Sequence, residues 1–150
     1  MAPGRGTLVE WRPEYAIGIE EMDKHHQALF VIINELWYAV IDRNPVVTVG
    51  SLLDKLERYA HMHFGAEEAL MLDMDYPNFR AHEKAHRRFI RQILKERQKH
   101  ATGAPVDLEI LRFLEQWWTS HIQVLDRDYA EFHARKHRPR AWLGRLFAGN

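Results

Sequence analysis

Apolar residues recur at helical spacing in four long blocks, and sharp breakers separate the blocks. From about Glu20 to Asp42 the pattern reads Met22, Leu29, Phe30, Ile33, Leu36, Trp37 and Val40. Asn44-Pro45 ends it. A second block, roughly Thr48 to Leu72, carries Leu52, Leu53, Leu56, Tyr59, Ala60, Phe64, Leu70 and Met71, and Asp75-Tyr76-Pro77 is the turn that follows. A third runs from about Phe79 to His100 through Phe89, Ile90 and Leu94, and stops at Thr102-Gly103-Ala104-Pro105. The fourth starts near Asp107, a candidate N-cap, and continues through Leu111, Leu114, Trp117, Trp118, Val124 and Leu125 towards His133. No sustained alternation of period two appears, so no sheet is expected. Four helices of about 20–25 residues with short connections predict an all-α fold, an antiparallel up-down-up-down four-helix bundle. At 150 residues the chain has the size of one domain. That domain divides into an N-terminal arm (1–19), the bundle (20–133) and a short C-terminal helical extension (134–150).

Charge and flanks narrow the class. Lys plus Arg equals Asp plus Glu at 21 each, so global electrostatics gives no reason to expect nucleic acid as a partner. The first fifteen residues hold Arg5, Glu10, Arg12 and Pro13 and no apolar run of signal-peptide length. No stretch reaches the ~18 apolar residues of a membrane span. The expectation is a soluble, cytoplasmic protein.

Ten residues of the 150 are histidine and none is cysteine. Cysteine's absence removes disulfides, thiolate metal sites and cysteine nucleophiles together. Several histidines fall on the apolar faces. Residues i and i+4 share a helix face. That spacing pairs His63 with Glu67 on the second helix and His82 with His86 on the third. His26 shares a face with Leu29, Phe30 and Ile33, although His25 fits that face about equally well. On the fourth helix His121 follows Leu114 and Trp117 by seven and four. Each feature alone also occurs on solvated helix faces. Buried imidazoles and carboxylates are costly unless paired or metal-bound. Four helices that bring such groups inward at one level are how bundles build dinuclear metal sites. An all-nitrogen-and-oxygen donor set suits iron, zinc, copper or manganese.

These residues resemble the hemerythrin family in its single-domain bacterial form. The resemblance covers roughly Trp11 to Tyr129. It is carried by Trp11 with the stretch Gly18 to Phe30, by His63-Phe64-Gly65-Ala66-Glu67-Glu68 with Met71, by Tyr76-Pro77 with His82, His86 and Phe89, and by Trp117 with His121-Ile122 and Asp126. It implies two iron ions joined by an oxo or hydroxo bridge. His82, His86 and His121 would hold one; His26 and His63 would hold the other; Glu67 and Asp126 would bridge them. Seven ligands exceed one tetrahedral ion and suit a pair. The resemblance selects His26 over His25, and Asp126 over Asp128. Asp126 lies five residues after His121, about 140° off its face on a regular helix. The family pattern therefore demands a local distortion, such as a π-bulge, between the two.

The function implied is reversible dioxygen binding at a non-haem di-iron centre, for oxygen storage, transport or sensing, and not catalysis. Phe64, Trp117, Trp118, Ile122 and Tyr129 would line the oxygen pocket. Five imidazoles against two carboxylates make a ligand set of low charge, which disfavours high oxidation states. The alternative is a di-iron enzyme that handles peroxide, nitric oxide or ferrous iron. Trp118 departs from the aliphatic residue, often leucine, usual after the family's fourth-helix tryptophan. His25 replaces a common glutamine, and Met22 a usual aliphatic. Beyond Glu131 the chain has no acidic residue but holds Arg135, Lys136, Arg138, Arg140 and Arg145 beside Trp142, Leu143, Leu146 and Phe147. Such a tail would cover one end of the bundle. Alternatively, residues 139–150 would dock on a membrane surface or an oxygen-consuming enzyme.

Overall fold

Each apolar stripe along the chain needs a partner face, and four stripes satisfy one another around a common axis. The computed structural model describes residues 6–43 and 46–137. All regular structure among them is helical: α1 (Glu20–Ile41), α2 (Val46–Asp73), α3 (Phe79–Ala101), α4 (Leu108–His121) and α5 (Arg127–Lys136). A π-helical turn, Ile122–Asp126, joins α4 to α5, so these three segments make one continuous rod. α1, α2, α3 and this rod form the four-helix bundle. The rod reaches Lys136, three residues past the expected end of the bundle. The basic segment expected to form a helix and to dock through 139–150 lies outside the described residues.

Local chemistry sets the helix ends. Asp107 caps α4, its side chain accepting from the backbone N–H of Glu109 (3.1 Å) and Ile110 (3.3 Å). Gly103, at φ +93°, closes α3 in the left-handed conformation, and Ala104 N–H returns to the Lys99 carbonyl at 3.2 Å. The turn after α2 uses Asp75 at φ 54°.

The core is one apolar cluster that includes Leu29, Ile33, Leu36, Leu53, Leu56, Phe89, Ile93, Leu111 and Leu114, all fully enclosed. A smaller cluster of Met71, Met74, Tyr76 and Tyr129 closes the other end. The described part of the arm is irregular apart from one 3₁₀ turn at Pro13–Tyr15, and it is anchored. Asn34 accepts from the N–H of Leu8 and Val9 (3.0 Å each) and donates to the Val9 carbonyl (2.8 Å). Trp11 and Tyr15 meet the Phe30 ring edge-on. Asp23 of α1 accepts from Ile17 N–H at 2.8 Å and Gly18 N–H at 3.2 Å, which fixes the entry to the first helix. Between the two clusters lies a layer of buried polar side chains.

Candidate metal centre

Every helix of the bundle contributes to that polar layer. α1 supplies His26, α2 supplies His63 and Glu67, α3 supplies His82 and His86, and α4 supplies His121 at its last residue. Asp126 sits at the end of the π turn. All seven are at most 5% exposed. The distortion expected between His121 and Asp126 is present. The wider i→i+5 turn returns Asp126 to the face of His121, and His121 Nε2 lies 3.0 Å from Asp126 Oδ1. Asp128 is engaged elsewhere: its carboxylate accepts from the Tyr76 hydroxyl. Among the two aspartates, the structure brings Asp126 and not Asp128 to the cluster.

The donor atoms form two groups that share their carboxylates. One group is His82, His86 and His121 with Glu67 and Asp126; the other is His26 and His63 with the same two carboxylates. Each carboxylate divides its oxygens between the groups. Glu67 Oε1 is 3.1 Å from His63 Nε2 and 3.4 Å from His26 Nε2, while Oε2 is 3.1 Å from His86 Nε2. Asp126 Oδ2 is 3.0 Å from His26 Nε2, while Oδ1 is 3.0 Å from His82 Nε2. Within the three-imidazole group, His121 Nε2 lies 3.1 Å from that of His82 and 3.2 Å from that of His86. Two ligands at ~2.1 Å from a common ion, a right angle apart, are themselves ~3.0 Å apart. The spacings therefore match coordination as well as they match hydrogen bonding.

Hydrogen bonding does not satisfy the layer. Both ring nitrogens of His26, His63 Nε2, His82 Nδ1, Glu67 Oε2 and both Asp126 oxygens are buried without a hydrogen-bond partner among the described residues. Each such atom costs about 1–3 kcal/mol unless something fills its valence. Cations at the two foci would do so for the Nε2 and carboxylate atoms, and the nitrogen-and-oxygen donor set suits a borderline first-row ion such as iron. The electrostatics agree. Burial works against a charge on His26, but Asp126 and Glu67 outweigh it and hold its pKa up at about 9. His82 is held at about 9 in the same way. Burial also opposes charge on Glu67, yet His63 and His26 pull its pKa well below the usual carboxylate range. The layer thus stabilises anionic carboxylates that demand positive charge beside them.

A surrounding set of side chains orients these donors. His86 points Nε2 inward because its Nδ1 meets Glu68 Oε1 at 2.9 Å. The Tyr129 hydroxyl donates to Glu67 Oε1 at 2.9 Å. His25 Nδ1 lies 3.1 Å from His63 Nδ1, which leaves His63 Nε2 facing the cluster. Burial and the neighbouring His63 lower the pKa of His25, which favours its neutral form. Neither Glu68 nor His25 has a role that can be read from the sequence. No spacing signals Glu68: it stands 18 residues from His86 on a neighbouring antiparallel helix. His100, without a role in the sequence, is buried, with Nδ1 3.2 Å from the Ala104 carbonyl at the end of α3.

The aromatic and apolar side chains expected around an oxygen pocket lie about the polar layer, unequally buried. Phe64 stacks flat on His86 (3.8 Å between centroids, 8°) and Trp117 on His121 (4.2 Å, 12°). Ile122 and Tyr129 are fully enclosed. Trp117 is only half-buried, whereas Trp118 is wholly buried. Its ring packs against Phe64 and Phe89 and lies 5.8 Å from His63 and 6.3 Å from His26.

A family model, the hemerythrin HHE cation binding domain, matches residues 17–132. A bacteriohemerythrin from Stenotrophomonas maltophilia is 30% identical over 146 residues, covering 93% of this chain and 95% of that protein. A bacteriohemerythrin from Pseudomonas aeruginosa is 31% identical over 121 residues, covering 81% of this chain and 78% of its own. The crystal structure of a wild-type hemerythrin superposes with a TM-score of 0.78 at 28% identity, covering 83% of this chain and 96% of that one.

Proposed function

This chain belongs to the hemerythrin family, and on that premise we propose that it binds dioxygen reversibly at a non-haem di-iron centre, in oxygen storage, delivery or sensing. The observation that carries the reading is the unequal pair of donor groups sharing Glu67 and Asp126, with three imidazoles on one side and two on the other. Two iron ions, when bound, supply the two electrons that reversible dioxygen capture requires. His82, His86 and His121 would hold one ion and His26 and His63 the other, with Glu67 and Asp126 between. An ion in the group with fewer imidazoles would have one protein donor fewer and so could take an external ligand.

The chain's own groups favour binding over turnover. Tyr129 holds Glu67 in place through its hydroxyl, and its own proton is firmly retained, since burial and Glu67 push its pKa well above the ordinary phenol value. It is therefore a poor proton source. Phe64, Trp118 and Ile122 are buried beside the layer and would keep water and its protons away from it. Five imidazoles against two carboxylates keep the donor set low in charge.

Anaerobic reduction followed by an oxygen titration in the visible spectrum tests the reading. One dioxygen taken up per chain, and released when oxygen is removed, is expected. Irreversible oxidation without a stable adduct overturns it, and turnover of peroxide or nitric oxide in the same preparation would identify an enzyme instead.

A further inference from the structure

Trp118 holds a buried hydrogen-bond donor for which no described residue supplies an acceptor. Its side chain is fully enclosed, and Nε1 has no partner among the described residues. Buried tryptophan N–H groups usually find an acceptor, and an orphan one is costly. Water exclusion does not explain it, because an aliphatic or phenyl side chain would exclude water without the cost. Its neighbours narrow the acceptor. The ring meets Phe64 and Phe89 and, edge-on, Trp117. His121 lies 6.3 Å away, and nearest among the imidazoles is His63 at 5.8 Å, with its neighbour His26 at 6.3 Å; the Nε2 atoms of His63 and His26 converge on Glu67 and Asp126. Those imidazoles belong to the donor group with one member fewer. An acceptor outside the protein, held on that side, completes the set.

We infer that Trp118 Nε1–H donates a hydrogen bond to a small anionic ligand taken up on the His26–His63 side of the centre, which makes Trp118 a determinant of ligand affinity. The inference rests on the di-iron reading above. Its ligand class is the small anion with a free terminal lone pair, such as azide. A fixed donor at that point discriminates by charge: it favours a ligand carrying negative charge over the neutral gas, because hydrogen bonds to charged acceptors are about twice as strong. The same donor would slow escape of dioxygen once it carries negative charge.

The test uses the full chain in its oxidised, iron-loaded form, titrated optically with azide. Trp118→Phe keeps a ring and removes the N–H; Trp118→Leu also removes the bulk. Azide affinity is expected to fall about 10- to 100-fold in both variants, the loss of one hydrogen bond to a charged acceptor. In the unaltered protein the azide stretching frequency, read by resonance Raman, is expected to shift between water and deuterium oxide, and to shift less in Trp118→Phe. Affinity unchanged within about twofold in Trp118→Phe, or lost only in Trp118→Leu, overturns the inference by reducing Trp118 to packing. A solvent-insensitive azide frequency in the unaltered protein overturns it without any variant. If the unaltered protein holds two irons yet binds no azide, the inference falls alone; if it holds no iron pair, the di-iron reading falls with it.

Discussion

Replacing Glu68 by alanine should loosen metal without loosening the fold. His86 can offer Nε2 to an ion only while its proton stays on Nδ1, and Glu68 Oε1, 2.9 Å away, holds it there. The same bond fixes the ring plane, together with Phe64 stacked on its face. Outer partners of metal-bound histidines are worth about 10- to 100-fold in metal affinity, or ~1.4–2.7 kcal/mol. The cost to the metal-free bundle is smaller. Glu68 is 28% exposed, so the bond competes with water and contributes nearer 1 kcal/mol to folding. Glu68→Gln keeps an acceptor but not its charge, and should lose about tenfold or less. Competition against a chelator reads the affinity, and thermal unfolding of metal-free protein reads the fold. Affinity within about twofold of the unaltered protein would refute the reasoning. So would a loss of affinity fully matched by a loss of metal-free stability, which would make Glu68 a structural residue only.

Tyr129→Phe removes the donor to Glu67 and should destabilise the metal-free protein by about 1.5–3 kcal/mol, measured by urea unfolding, because the carboxylate stays buried. Asp126→Ala should abolish loading of the iron pair, whereas Asp128→Ala should load normally and only lose its bond to Tyr76; metal analysis of both variants separates them. Tyr76 is pushed up to about 12 by burial and by Asp128, so its bond should stabilise the fold fully below pH ~10 and fade as pH rises through 12. The difference between unaltered protein and Tyr76→Phe in unfolding free energy should vanish over that window. In the metal-free protein, His26 and His82 are held at about 9, so the stability they add is complete below pH ~6.5 and lost as pH rises through 9. Melting temperatures of metal-free protein at pH 6.5 and 10 check the sign.

The helices and most of the site were legible because both rest on periodicity. Leu52 to Met71 announces α2 by its apolar stripe, and the same stripe places His63 and Glu67 on the inner face. Asp107 and Gly103 mark helix ends by conformational needs that their residue types reveal. Asp126 was not legible from periodicity. A regular helix points Asp128 inward instead, and only the family pattern selected Asp126; the π turn is a departure that no local propensity encodes. Partners across the bundle were equally silent. Glu68 against His86, His25 against His63 and Tyr129 against Glu67 join residues from different helices, and chain spacing carries no record of them. Trp118 was visible as an unusual residue, but its full burial and the exposure of Trp117 depend on the rotation of α4 in the bundle.

Iron content combined with Mössbauer spectroscopy of the oxidised protein shows whether the shared carboxylates hold an iron pair. Shared Glu67 and Asp126 oxygens would hold two ions close enough, about 3.5–4 Å or less, for their spins to couple. Unequal donor groups would make the two ions distinguishable. A di-iron centre of this kind gives two iron ions per chain in two inequivalent, equally populated and magnetically coupled sites. One iron per chain, or two that are magnetically isolated, would contradict it.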